Sequence, residues 1–182
     1  ILKENYLSVV YAREMSEGIT NINQELITSF LTNRNSDTLR IAKESAILSR
    51  SLLMAKNNLT EPEEDKLVSE FETGYNEYRD SVLKYMKSPK TTSAMIYLQN
   101  KSADLFQQLL ILSDINGKAI ENKTDDAKVS SQRAMKQMTI LASICFLIGM
   151  SFIFSFASYF NQRFFQLYNG IKNKIEDPTE NR

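Results

Sequence analysis

The side chains of this sequence best suited to meeting a small charged ligand are arginines. Arg13, Arg34, Arg40, Arg50 and Arg79 are spread over the first half of the chain, and a guanidinium presents a flat fork of donors that matches a carboxylate or phosphate edge. Arg50 and Arg79 fall one step beside the apolar stripes of their segments, where a charged head could reach a groove between helices. The plain alternative is that their stems cover the core while the heads stay wet, as flank cations commonly do. Catalysis fits poorly. Histidine is absent from the 182 residues, which removes the commonest general base and metal ligand. No glycine-rich phosphate loop, metal-ligand cluster or nucleophile-base arrangement is visible. The expectation is a chain that is no enzyme, with no catalytic residue, no metal and no cofactor. Lys+Arg and Asp+Glu balance at 22 each, so no basic excess points to nucleic acid.

A second group of residues stands out because it is polar where apolar side chains would stabilise more. Leu98, Leu105, Leu112, Ala119 and Asp126 recur at seven-residue spacing, and Ser102, Leu109, Asn116, Lys123 and Ser130 follow four behind, a heptad pattern. Asn116 and Lys123 sit in that seam. A buried polar residue there costs stability but fixes register between packed helices, as a signalling stalk requires; a seam that has opened to water would carry the same residues. Gly117 beside them is a local weak point for bending. Gly149, Ser151 and Ser155 form a third group. Small residues four apart permit close helix contact in lipid, although serines bonded to their own backbone would read the same way.

The elements that must position these residues are helices. Gly and Pro number only 5 and 3, too few for a turn-rich sheet domain, and the lone cysteine, Cys145, allows no intrachain disulfide. Leu2, Tyr6, Val9, Ala12, Met15, Ile19, Ile22, Leu26 and Phe30 recur every three or four residues and predict a first helix over about 1–33. After a polar break, Ser36 or Asp37 is a suitable N-cap, and Leu39, Ala42, Ala46, Ser49 and Leu53 predict a second helix over 36–57. Thr60-Glu61-Pro62-Glu63 reads as a capping box that opens a third helix over 61–87, with the stripe Leu67, Phe71, Tyr75, Tyr78, Val82 and Tyr85. Pro89 stops it. Gly74 weakens this helix by ~1 kcal/mol relative to alanine. The fourth helix is expected over 91–138.

From Thr139 to Phe160 no charged side chain occurs. About 20 mostly apolar residues suffice to cross ~30 Å of hydrocarbon as a helix, so 139–160 is predicted to be a transmembrane helix between a domain at 1–138 and a short tail at 161–182. The fold class expected is all-α: an antiparallel up-down four-helix bundle whose last helix continues into the transmembrane helix. The fourth helix, about 48 residues long before the span, exceeds the first by roughly 15. That mismatch suggests that about 15 further helical residues and an earlier span precede Ile1 in a longer parent protein. Charge does not orient the span, because Lys123, Lys128, Arg133 and Lys136 before it balance Arg163, Lys172 and Lys174 after it.

Several stretches carry a family resemblance. Ile1-Leu2-Lys3-Glu4-Asn5-Tyr6 with Ser8-Val9 and Met15, Asn58-Leu59-Thr60-Glu61-Pro62, Asn116 with Ala119-Ile120 and Lys123, and Cys145-Phe146-Leu147-Ile148 with Ser151-Phe152-Ile153-Phe154 resemble the N-terminal sensor region of KinB-like, HAMP-containing histidine kinases of Bacteroidetes. Asn161 to Ile171 looks like the start of a HAMP helix, without the proline that HAMP helices usually carry just inside the membrane. The resemblance implies a sensor in the bacterial inner membrane, with 1–138 periplasmic and 161–182 cytoplasmic. It also implies a homodimer, a small-molecule or protein stimulus, a kinase core beyond Arg182 and a response regulator downstream. A chemoreceptor input domain shares the architecture, and a membrane-anchored helical scaffold or adaptor is the reading from a different class.

Overall fold

The computed structural model describes the backbone of residues 2–176 and the side chains of 2–173. The chain is all-helical: α1 (Leu2–Leu31), α2 (Thr38–Lys56), α3 (Glu64–Lys87) and α4 (Thr92–Glu176), with no strand among the described residues. Ile1 and residues 177–182 lie outside the described residues. The chain divides into two compact units, 1–126 and 127–182.

In the first unit the helices close around one core. α3 contributes Val68, Phe71, Tyr75, Tyr78, Val82 and Tyr85, and α4 contributes Met95, Leu98, Leu105, Leu109 and Leu112. Both stripes run as their spacing predicts, except that Val68 is buried while Leu67 only packs on the core's edge. α1 supplies Ala12, Met15, Ile19, Ile22 and Leu26, but at its start the predicted stripe fails: Leu2 and Tyr6 are exposed, and Asn5 and Ser8 are buried instead. α2 departs further. Ile41, Leu48, Ser51, Leu52 and Ala55 face inward, while Leu39, Ala42, Ala46, Ser49 and Leu53 are exposed. The reason is steric. α1 and α2 pack closely along their lengths, and a Cβ built on Gly18 would stand 3.3 Å from Leu48 Cβ. α2 therefore turns Leu48, opposite Gly18, and the small residues Ser51 and Ala55 inward. A similar close approach explains Gly74, whose added Cβ would meet Leu105 Cδ2 at 3.1 Å.

Local chemistry sets the helix ends. α1 closes with Asn33 in left-handed geometry (φ 49°), the Arg34 N–H bonded to the Ser29 carbonyl at 3.1 Å and the Asn33 N–H to that of Phe30 at 3.3 Å. That is the Schellman arrangement, and asparagine tolerates its left-handed position. Of the two suggested caps for α2 the structure uses Asp37, whose carboxylate accepts from the Arg40 N–H at 3.0 Å. Thr91 caps α4 through the Ala94 N–H. The capping box before α3 is corrected by one residue. Glu63 does not reach back; it takes a left-handed conformation (φ 73°) at the N-cap, and Glu64 Oε2 accepts from the N–H groups of Thr60 (2.5 Å) and Glu61 (2.9 Å). The bend after Pro62 brings the second glutamate, not the first, over the connection.

In the second unit, α4 holds a stretch long and apolar enough to cross a membrane, with none of its most apolar window buried. Phe152, Ile153 and Phe154, successive residues that point in directions about 100° apart around the helix, all stand exposed. Phe156 and Phe160 make a tilted ring pair at 4.9 Å, and the Arg163 guanidinium lies 5.5 Å from the centre of the Tyr159 ring.

Candidate functional site

A dense polar arrangement lies where the start of α1, the α2–α3 connection and residues 112–123 of α4 meet. Asn116, fully buried, donates through Nδ2 to Glu64 Oε1 and to the Leu112 carbonyl (3.0 Å), and its Oδ1 accepts from Asn5 Nδ2 at 3.2 Å. Asn5, also fully buried, donates to Glu61 Oε1 at 2.7 Å and accepts from Lys123 Nζ at 3.0 Å. Lys123 pairs with Glu61 as well. Alongside, Asn58 Nδ2 donates to the Glu4 carbonyl (2.7 Å) and to Ser8 Oγ (2.9 Å). Both buried amides have donors and acceptors occupied, which is what lets such polar groups reside in a core.

Apart from the Asn116 bond to the Leu112 carbonyl, one turn back on its own helix, each bond here joins residues far apart in sequence, from 50 between Ser8 and Asn58 to 118 between Asn5 and Lys123. The node thus ties two separate chain segments, the start of α1 and the run from Asn58 to Glu64, to one stretch of α4. Electrostatics reinforce it. Hydrogen bonds from Lys123 and then Asn5 hold the Glu61 carboxyl below its ordinary value of 4.5, against a smaller desolvation effect. The node offers a rigid junction rather than a reaction: its ammonium and carboxylates are committed to one another. Among the described residues no group of three His, Cys, Asp or Glu side chains could hold a metal ion.

A second buried carboxylate organises the other end of the first unit. Glu25, only 2% exposed, meets Arg34 at 3.1 Å and Arg40 at 3.5 Å and accepts from the Asp37 N–H at 2.9 Å. Lys90, from the α3–α4 connection, donates to the carbonyls of Ser29 and Arg34. Two arginines available to a ligand on sequence grounds are therefore engaged in closing the α1–α2 turn.

The remaining flagged residues are dispersed. Arg50 lines a cleft of about 540 Å³ between α1 and α2 together with Glu14, Glu17 and Glu44, a setting that favours cations over the small anions an arginine suggests. Arg79 is half exposed and lies 3.7 Å from Asp80. Asn116 and Lys123 meet in the node, whereas Gly117 is exposed beside it with open space around it. Of the two readings of the α4 seam, burial holds through Ala119, Lys123 is partly buried, and the seam faces solvent from Asp126 onward. Gly149 has open space around it. Ser151 donates to the Leu147 carbonyl at 2.9 Å, the self-satisfied alternative, and lines a shallow surface groove with Ser155.

Asn5, Glu61 and Glu64 were not marked as site residues by the sequence. Asn5 carried a usable signal, since it falls on the inward line Asn5, Ser8, Ala12, Met15 once that line is drawn through buried rather than apolar positions. Glu64 carried none, because charged residues flank it on both sides. No protein-family model, curated protein or solved structure matches the chain.

Proposed function

We propose that this chain is the sensing and transmembrane portion of a bacterial two-component histidine kinase. Helices α1 to α4 would form an antiparallel up-down four-helix bundle on the periplasmic side, residues 139–160 would cross the inner membrane, and 161–182 would begin a HAMP-like cytoplasmic linker in a homodimer. A stimulus would alter packing in the bundle and shift or rotate α4 relative to α1. A displacement of that kind can be carried along a helix.

The observation that carries this reading is the Asn116 node, a buried, fully bonded junction of the start of α1 and the α2–α3 connection with α4, one helical turn before Ala119, the last buried residue of α4 among those described. A passive anchor gains nothing from it, because apolar side chains at the same positions would stabilise as well or better. A part that must hold one register and move as a unit gains specificity. The stretches that resemble the sensor kinases supply Asn5, Asn58, Glu61, Asn116 and Lys123, and these distant residues meet in this one place. Antiparallel packing is supported by the two ends: the α2–α3 connection joins the start of α1, and the α3–α4 connection joins its end.

The test is ATP-dependent autophosphorylation of the full reading frame in membrane vesicles. The proposal expects a downstream histidine that is phosphorylated and an at least threefold change in rate on Asn116→Leu. A frame without a kinase core, or a rate indifferent to the node, contradicts it. A chemoreceptor would instead show its coupling through a separate kinase. Topology is checked independently by reporter fusions after Arg182, which should be active as a cytoplasmic reporter and silent as a periplasmic one.

A further inference from the structure

Three core tyrosines line α3, and only two of their hydroxyls are bonded. Tyr75 donates to the Ser45 carbonyl at 3.2 Å and Tyr78 to Asn23 Oδ1 at 2.8 Å. Tyr85 is 3% exposed, and its hydroxyl is buried with no hydrogen-bond partner. A buried hydroxyl left unpaired is costly, and exceptions of this kind mark places where the protein alone does not complete the bonding. Tyr85 also forms a wall of a cleft of about 370 Å³ at the end of α3, shared with Ala94, Tyr97 and Leu98 of α4 and with Pro89 of the connection. Its volume falls in the range of small-molecule sites, roughly 300–1,000 Å³. The walls are mostly apolar and aromatic, and the polar residues are few: Ser81, Ser88, Thr91 and the exposed Lys84, with the Tyr85 hydroxyl buried in the wall behind them.

We propose that this α3–α4 cleft binds a small aromatic carboxylate, with the ring against Tyr97 and Leu98, the charge balanced by Lys84, and an oxygen accepting from the Tyr85 hydroxyl once ligand entry parts the side chains that cover it. A ligand of this class fits because a flat ring suits an aromatic-lined cleft, while the phenol lacks an acceptor and the one cation stands beside it. Burial raises the Tyr85 pKa, so the phenol stays a proton donor at neutral pH. The site is separate from the Arg50 cleft, whose carboxylates would repel such a ligand. It rests on the sensor reading only in calling the ligand a stimulus.

Binding is measured with the full chain in detergent micelles, using benzoate and its neutral counterpart benzamide as probes in ligand-observed NMR and thermal melting. Saturable benzoate binding is expected in the millimolar range or tighter, weakened about threefold to tenfold by Tyr85→Phe. Lys84→Gln should weaken benzoate and leave benzamide unchanged. Without ligand, Tyr85→Phe should raise the melting temperature by about 2–4 °C by removing an unpaired buried group. If that variant does not fold, Ala94→Leu fills the cleft from α4 and should abolish binding. No saturable binding of either probe up to about 10 mM, equal binding by Tyr85→Phe, or a lower melting temperature for that variant overturns the proposal. Binding without any change in autophosphorylation supports the site and counts against the sensor reading, whereas a phosphorylation response to Asn116→Leu without benzoate binding does the reverse.

Discussion

The two ends of the helical unit solve one problem with the same residue type and different reach. At one end Glu25 closes the α1–α2 turn, drawing in Arg34, Arg40 and the Asp37 N–H from within 15 residues of itself. At the other, Glu64 caps its own connection and is bonded in addition to Asn116, 52 residues away. Glu25 works mainly as a staple, since its partners are neighbours on a half-exposed surface. Glu64 works as a junction, since its network reaches Asn5 of α1 and Asn116 and Lys123 of α4 as well as Glu61 of its own connection. A local staple stabilises a turn whatever the rest of the molecule does. A non-local junction makes the position of α4 depend on α1 and on the α2–α3 connection, which is what transmission needs.

The largest effect should separate the ends by truncation. Glu64→Ala leaves the Asn116 amide and two backbone N–H groups without their acceptor inside the unit, and should cost about 4 kcal/mol. Glu25→Ala should cost about 2 kcal/mol, because Arg34 and Arg40, each nearly half exposed, can turn to water. Urea unfolding followed by tyrosine fluorescence measures both, and the reverse order would break the contrast between junction and staple.

Acid should loosen the junction through Glu61. Its carboxyl is held below 4.5 in the folded chain by Lys123 and Asn5, so its contribution is present above that pH and is lost as pH falls through the lower, folded value. Unfolding curves collected downward from pH 5 should show this loss, and Glu61→Gln should remove it from the pH profile. An unchanged profile in that variant would mean that the pair with Lys123 contributes nothing.

The smallest effects sharpen the comparison at glycines. Gly117→Ala, with open space around the new methyl group, should stabilise by about 0.5–1 kcal/mol. Gly18→Ala should destabilise by about 1 kcal/mol, since Leu48 Cβ at 3.3 Å is fixed to its backbone and yields little. Thermal melting of the two variants should therefore move in opposite directions. If Gly117→Ala also damps signalling, bending at that point belongs to the mechanism.

What was legible in the sequence follows from side-chain size. Phe71, Tyr75, Tyr78, Leu98, Leu105 and Leu112 declare their faces because large apolar groups have nowhere else to go. The face of α2 was misread because its inward residues include Ser51 and Ala55 while Leu39 and Leu53 are exposed, a choice made by the close approach of α1 at Gly18. The site was half legible. Asn116 and Lys123 interrupt an otherwise apolar seam and could be noticed, but their partners lie on a stretch whose buried residues are polar, or beside a turn where a left-handed Glu63 moves the capping glutamate by one place. Burial of polar residues in pairs cannot be inferred from one member of the pair.

The central claim is that α4 is energetically joined to the start of α1 through the node, and a double-mutant cycle tests it most directly. Asn5→Ala, Lys123→Ala and the double variant of the full chain are unfolded with urea in the same micelles at neutral pH. The account predicts a coupling energy of at least about 1 kcal/mol across these 118 residues of separation. Additivity within about 0.3–0.5 kcal/mol, as for independent sites, would contradict it.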